Sequence, residues 1–332
     1  MLEEPALDQV ALRESLRNEY AIGAVRSEFV AGYDPRSAAY SVTTAEGQRF
    51  FLKVLFDAVD TTSLEVPAAL LDAGVPNVLA ALPTRTSRLW AECEDHRLVV
   101  YPWVAASNAM HAGLNEQQWR SFGSTLRAAH DSGLQNRVAD ILPTDTFALA
   151  AGAKVTAMLE LAGIGTFTTA SARRHAEFLR GQDQRIGSML ARAAELGATL
   201  RLRDFVRVLC HADIHAANIL VADATGAIYL VDWDGPMIAP RERDLLFVIG
   251  SRIARDVQPH EEKWFFEGYG EMAIDADAIV YYRYERILED IGEFAASIFL
   301  DDSLTEATRE SEADLVAGFF EPGGILETVE NV

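Results

Sequence analysis

The sequence predicts an α/β (α+β) fold in two lobes. A small β-rich N-terminal lobe, residues 1–101, is followed by a crossing at 102–108 and a larger helical lobe, 109–332. Three observations carry this prediction. Strand-like runs crowd the first hundred residues. Helical apolar periodicities dominate the remainder. Within that remainder, short apolar runs flank a polar loop whose residues keep a telling spacing. At 332 residues the chain is long enough to bury two separate cores.

In chain order, Leu7, Val10, Ala11 and Leu16 recur at roughly helical spacing and predict a first helix over 6–20. Strand signals follow at Val25–Val30, Ala38–Thr44 and Arg49–Phe56. The link Ala31-Gly32-Tyr-Asp34-Pro35-Arg36-Ser37 reads either as a hairpin turn or as a loop offering backbone N–H groups to an anion. Lys53 sits inside Phe50-Phe-Leu-Lys53-Val-Leu-Phe56, where an ammonium is costly unless paired. A helix over about 62–73 carries Glu65 as the expected partner, with Asp57, Asp60 and Asp72 as competitors, and Gly74 and Pro76 end it. Strand signals at Leu89–Cys93 and Leu98–Tyr101 lead into Tyr101-Pro102-Trp103-Val104, read as the crossing between lobes.

After Asn115, Trp119, Phe122, Leu126 and Ala129 form a core-facing helical stripe that ends at His130, read as a helix-end histidine. Two further helices are expected over 145–161 and 170–198. Next come two apolar runs, Val206–Leu209 and Ile219–Val221, around a polar loop. A turn at Asp223–Gly226 feeds a third run, Ile228–Val231. His211, Asp213 and Asn218 give H-x-D-x-x-x-x-N, and Asp232 closes the next strand. Kinase catalytic loops have this spacing. Phosphoryl transfer needs positioning and charge compensation. Asp213 is the candidate base for an attacking hydroxyl, and Asn218 and Asp232 are oxygen ligands suited to Mg²⁺. Lys53, paired to Glu65, would then hold the α and β phosphates of a nucleotide. Gly32 to Ser37 would lie over its phosphates, and the backbone of Tyr101 to Val104 would meet its adenine edge. Asp244 opens an apolar helical run, either as its cap or as a contact to the catalytic-loop backbone. Further on, Tyr284, Ile287, Leu288, Ile291 and Phe294 share one helix face, while Glu285, Glu289 and Glu293 line another. Residues 321–332 read as a frayed tail.

Composition is that of an ordinary globular protein, 49% hydrophobic and 24% charged. No apolar run approaches the roughly 20 residues that span a bilayer. Only Cys93 and Cys210 are present, and no signal-peptide pattern is seen, so a reducing cytoplasm is expected. The net charge is −21, with 9 basic and 15 acidic residues through Tyr101 and the larger share of the excess downstream. Such a surface repels nucleic acid and anionic membrane and favours a cationic partner. The only lysines are Lys53, Lys154 and Lys263.

Together, Cys210-His-Ala-Asp213-Ile-His-Ala-Ala-Asn218-Ile-Leu-Val and Val231-Asp232-Trp233-Asp234 resemble the aminoglycoside phosphotransferases, small-molecule kinases with a protein-kinase-like fold. The stretches Val231–Leu245, Phe266–Glu271 and Tyr281–Ile291, with the Tyr101-Pro-Trp crossing, extend the likeness over essentially the whole chain. The resemblance implies an ATP- and Mg²⁺-dependent transfer to a hydroxyl of a cationic aminocyclitol, with spectinomycin the expected substrate. It implies Asp213 as base, Asn218 and Asp232 as metal ligands, Lys53 as the phosphate-binding lysine, and Tyr101, Pro102, Trp103 and Val104 as the adenine-binding segment. Asp234, Glu285, Glu289 and Asp290 are the expected contacts for the substrate's ammonium groups, Asp234 alternatively supporting the metal ligand beside it. Another small metabolite, such as choline, a methylthio-sugar or a biosynthetic aminocyclitol, is the alternative substrate. A non-catalytic nucleotide-binding module is the alternative class, against which stands the presence of Lys53, Asp213, Asn218 and Asp232 together.

Overall fold

The computed structural model describes residues 4–31, 37–302 and 304–330. In chain order its first elements are α1 (Gln9–Tyr20), β1 (Ala24–Val30), β2 (Ser37–Thr44), β3 (Arg49–Leu55), α2 (Thr62–Asp72), β4 (Ala91–Cys93), β5 (His96–Pro102), β6 (Ala106–Asn108), α3 (Ala109–Ala112) and α4 (Glu116–His130). Next come α5 (Gly152–Ile164), α6 (Ala170–Leu200), β7 (Arg207–Cys210), β8 (Ile219–Ala222), β9 (Ile228–Leu230) and β10 (Met237–Pro240). The last are α7 (Glu242–Leu245), α8 (Pro259–Tyr269), α9 (Ala276–Leu300), α10 (Glu306–Phe319) and α11 (Glu327–Glu330). The chain divides into two compact units. The first takes the described residues of 1–143, 211–237 and 267–270; the second takes those of 144–210, 238–266 and 271–332.

The first unit is built on an antiparallel sheet of order β1-β2-β3-β5-β4. Alternation along β3 decides its two faces. Phe50, Leu52 and Val54 face one core with Tyr40, Val42, Leu98 and Val100, closed by Leu12 and Leu16 of α1. Asp8 caps α1, its Oδ1 accepting from the N–H groups of Val10 at 2.7 Å and Ala11 at 3.1 Å. Leu55, Val99 and Tyr101 face the other core, with Leu64 of α2 and Ala81. The period of two places Lys53, opposite Val99 in register, on this second face.

A three-stranded sheet, β6-β8-β9, carries the hairpin predicted from the sequence, with Ile219 opposite Leu230. Its turn is closed by Gly226, whose φ of 68° lies in the left-handed region and whose N–H donates to Ala222 O at 2.8 Å. A single parallel bridge between Val78 and Leu230 ties this hairpin to the segment after α2, the Leu230 N–H donating to Asn77 O at 2.8 Å. Asn77 is fixed in turn by Nδ2 bonds to Thr125 Oγ1 at 2.9 Å and Ser121 Oγ at 3.2 Å on α4. His130, at the end of α4, is buried and bonded through Nδ1 to the Tyr269 hydroxyl at 2.7 Å, as suits a structural histidine.

In the second unit α5, α6, α9 and α10 pack on one another, burying Val155, Ala193, Leu200, Ile287, Ile291 and Val316. Three expectations are corrected here. The helix expected at 145–161 begins only at Gly152. Asp145 Oδ1 accepts the Phe147 N–H at 2.8 Å in a turn, and Phe147 and Leu149 take φ of 53° and 50°, which no right-handed helix contains. Asp244 is not a cap; it lies inside α7 and is fully buried. The described part of the expected frayed tail is docked: Ile325, Leu326 and Val329 are buried. Arg252 binds Glu327 at 2.9 Å and Gly323 O at 2.7 Å, and Arg283 binds Thr328 O at 2.9 Å. No helix among the described residues is long and apolar enough to cross a membrane.

Candidate active site

The loop between His211 and Asn218 is locked by its first residue. His211 is fully buried, and its Nδ1 accepts the Asp213 N–H at 3.3 Å. Nε2 must therefore carry the ring proton, which it donates to Val231 O at 2.9 Å. One imidazole thus ties the backbone of Asp213 to the strand end preceding Asp232. Its ring lies 4.5 Å from that of Trp233. Ala212, between His211 and Asp213 in the chain, is held at φ 70°, a left-handed conformation costly for a residue with a Cβ. Asn218 Nδ2 donates to Asp213 O at 2.8 Å, which leaves Asn218 Oδ1 as the ligand atom of that amide. The Val231 N–H donates to Asn218 O at 3.0 Å, so the hairpin seats Asn218 against the residue before Asp232. His215, to which the sequence reading gave no role, accepts the Ala217 N–H through Nδ1 at 3.2 Å and holds Nε2 3.5 Å from Asp213 Oδ2.

Asp232 is also left-handed, at φ 65°. Burial, followed by the charge of Asp234, pushes its carboxyl up to about 6, while Lys53 acts in the opposite direction. Asp232 and Asp234 therefore repel in a partly desolvated setting that a bound cation would relieve. The available donors, the Asn218 amide oxygen and the carboxylates of Asp232 and Asp234, are all hard oxygens. That set fits Mg²⁺ rather than a thiolate- or imidazole-seeking metal.

Lys53 Nζ stands 3.6 Å from Asp234 Oδ2. The expected Lys53–Glu65 pair is not formed among the described residues: Glu65 is exposed, because the register of α2 turns Leu64, Val66 and Pro67 inward instead. A cavity of about 190 Å³ is lined by Lys53, Asp57, Asp60, Ser63, Tyr101 and Asp234, among others. Burial, with the charges of Asp234 and Asp232, raises the Tyr101 phenol well above its usual range. Pro102 pairs with Phe50 at the end of β5, and the Arg49 guanidinium lies 3.8 Å from the Trp103 ring centre. Pro102 is exposed, and Tyr101, Trp103 and Val104 are half-buried. Gly32, with the rest of the expected phosphate loop through Arg36, lies outside the described residues; Ser37 begins β2 and is buried.

The acidic face of α9 belongs to the second unit, where each carboxylate meets a cation. Glu285 pairs with Arg243 at 2.9 Å and accepts the Tyr281 hydroxyl at 3.2 Å. Burial raises the Glu285 carboxyl, and Arg243 partly offsets that rise. Arg286 lies 3.2 Å from Asp290 and 4.0 Å from Glu289, and Lys154 pairs with Glu293. Glu285 also belongs to a buried network the sequence did not reveal. The Tyr282 hydroxyl donates to Asp145 Oδ2 at 2.5 Å, and the Leu149 N–H donates to the Tyr281 hydroxyl at 3.0 Å.

Two crystal structures of spectinomycin phosphotransferase are similar over nearly the full length of both chains. The complex with ADP and spectinomycin is 26% identical and covers 98% of this chain and 98% of that one, with a TM-score of 0.87. The AMP-bound complex is also 26% identical, covering 97% and 98%, with a TM-score of 0.83. A choline kinase from Streptococcus pneumoniae shares the fold alone, at 15% identity, 92% and 97% coverage and a TM-score of 0.57. The chain has the protein-kinase-like α/β fold of these enzymes, β-rich in its N-terminal region and helical in its C-terminal region. No curated protein matches by sequence. The family profile described as the phosphotransferase enzyme family matches residues 27–281, and the chain belongs to that family.

Proposed function

We propose that this phosphotransferase uses ATP and Mg²⁺ to phosphorylate a hydroxyl of a cationic aminocyclitol, with spectinomycin as substrate. One observation carries the reaction: a single hairpin and its loop gather Asp213, Asn218 and Asp232, with Lys53 reaching Asp234 two residues on. The substrate is supported by the full-length likeness to spectinomycin phosphotransferase.

In this reading Asp213 accepts the proton of the attacking hydroxyl and orients it, with His215 beside its carboxylate. His211 and Asn218 hold Asp213 in place through its backbone. Asn218 and Asp232 hold the metal, which when bound supplies charge compensation for the phosphates. Lys53 binds the α and β phosphates, and the backbone of Tyr101, Pro102, Trp103 and Val104 receives the adenine, residues 102–108 being the crossing between an N-terminal lobe 1–101 and a C-terminal lobe 109–332. Asp234 is assigned to an ammonium group of the substrate; Glu285, Glu289 and Asp290 of α9, expected from the sequence to join it, are already met by Arg243 and Arg286. A wet ammonium–carboxylate pair is worth about 1 kcal/mol or less, so Asp234 alone contributes modestly to binding. The enzyme acts in the cytoplasm on this reading, with no nucleic-acid or membrane partner.

A panel of spectinomycin, kanamycin-type aminoglycosides, choline and a methylthio-sugar, each incubated with radiolabelled ATP, tests the assignment. Label in spectinomycin is expected. Label in choline or the sugar alone would replace the substrate, and no label in any aminocyclitol would refute the substrate assignment.

A further inference from the structure

Lys53 is the sole lysine before residue 154, in a chain of net charge −21. A phosphate-binding lysine should wait for nucleotide with a partner that positions it without competing, the part expected of Glu65. Here Glu65 is turned to solvent, and Lys53 is approached at 3.6 Å by Asp234, whose side chain is 57% exposed while that of Lys53 is 24% exposed. Asp234 follows Asp232 by two residues, and the two carboxylates repel in a setting where Lys53 is the nearby cation. Phosphate and Asp234 carry the same sign and seek the same ammonium, so they exclude one another from it.

From this contact we infer that Asp234 is a built-in competitor for the phosphate site. It holds Lys53 while no nucleotide is bound and must release it when phosphate arrives. The inference rests on the proposed nucleotide role of Lys53. It makes Asp234 a positioning residue that weakens nucleotide binding in the free enzyme, whatever its later contact with metal or substrate. Partly exposed pairs of this kind are worth up to about 1 kcal/mol, which corresponds to a roughly two- to fivefold change in affinity.

The test is the dissociation constant of a non-hydrolysable ATP analogue, measured by calorimetry on the full chain in EDTA, without substrate. Omitting the metal separates the competitor role from any role as metal ligand. Asp234→Asn is expected to tighten binding roughly two- to fivefold. Asp57→Asn removes one charge from the lining of the same cavity without touching the Lys53 pair, so it is expected to tighten binding less. In a Lys53→Met background, Asp234→Asn is expected to give no tightening. Equal tightening by Asp57→Asn and Asp234→Asn would overturn the inference in favour of a general charge effect. Unchanged or weaker binding in Asp234→Asn would overturn it outright. Absence of nucleotide binding by the unaltered chain would instead remove the nucleotide reading on which the inference stands.

Discussion

Replacing His211 by phenylalanine is the sharpest probe of how the catalytic loop is held. Phenylalanine keeps a ring against Trp233, 4.5 Å away, but removes both nitrogens. The bonds lost include Nε2–H to Val231 O at 2.9 Å and the Asp213 N–H to Nδ1 at 3.3 Å. Because His211 is fully buried, the carbonyl and the amide are left without their partner, at about 1–3 kcal/mol each. The second bond is long and weak, so the total is set at about 2–4 kcal/mol of folding stability. The catalytic effect has a separate origin. Ala212 and Asp232 sit at φ 70° and 65°, conformations that cost on the order of 1–3 kcal/mol each and persist only under constraint. With the imidazole gone, both can relax, carrying Asp213 and Asp232 away from their present geometry. Urea unfolding should show the stability loss, and kcat should fall at least about tenfold, since near-attack geometry is sensitive to small displacements. A variant within about 0.5 kcal/mol of the parent and with unchanged kcat would refute the reasoning.

Asp213→Ala should bind nucleotide as the parent does yet lose about 10²–10⁴-fold in kcat, as read by calorimetry and by phosphate release. Normal turnover in that variant would take Asp213 out of its role. Gly197→Ala should be strongly destabilising, by about 1–3 kcal/mol, because the added Cβ would meet Phe147 O at 2.5 Å and a Tyr281 ring carbon at 3.0 Å; an unchanged melting temperature would contradict it. His175 is buried, neither ring nitrogen has a hydrogen-bond partner among the described residues, and burial followed by Arg174 lowers it to about 4. Since its folded value lies below the ordinary 6.5, the unfolded chain takes up a proton first, and stability is lost as pH falls from about 6.5 to about 4. The full span is on the order of 3 kcal/mol, so His175→Phe should unfold less readily than the parent at pH 4.5 relative to pH 7, measured as urea midpoints. Equal pH dependence in both proteins would count against it.

What could be read from the sequence follows from the range of the interactions involved. The strands at Val25–Val30, Ala38–Thr44 and Arg49–Phe56 and the hairpin turn at Asp223–Gly226 rest on local alternation and turn chemistry, and they appear within a residue or so of expectation. The spacing of Asp213, Asn218 and Asp232 is local too, since one hairpin register brings them together. The partner of Lys53 was not legible. Glu65 follows it closely in sequence while Asp234 lies far downstream, beyond the reach of local pattern, and the choice turned on the rotation of α2, set by burial of Leu64, Val66 and Pro67. The docked C-terminus escaped notice because its anchors, Arg252 and Arg283, lie some 45 to 75 residues upstream. The buried pairs Tyr282–Asp145 and Arg243–Glu285 likewise join segments no periodicity links, and a polar face at i, i+4 gives no sign of which members are buried.

Mass spectrometry of spectinomycin incubated with the enzyme and MgATP tests the central claim most directly. The account predicts a product heavier by one phosphate, formed by the parent protein and absent with Asp213→Ala. Unmodified spectinomycin after prolonged incubation with a folded, nucleotide-binding parent protein would contradict it.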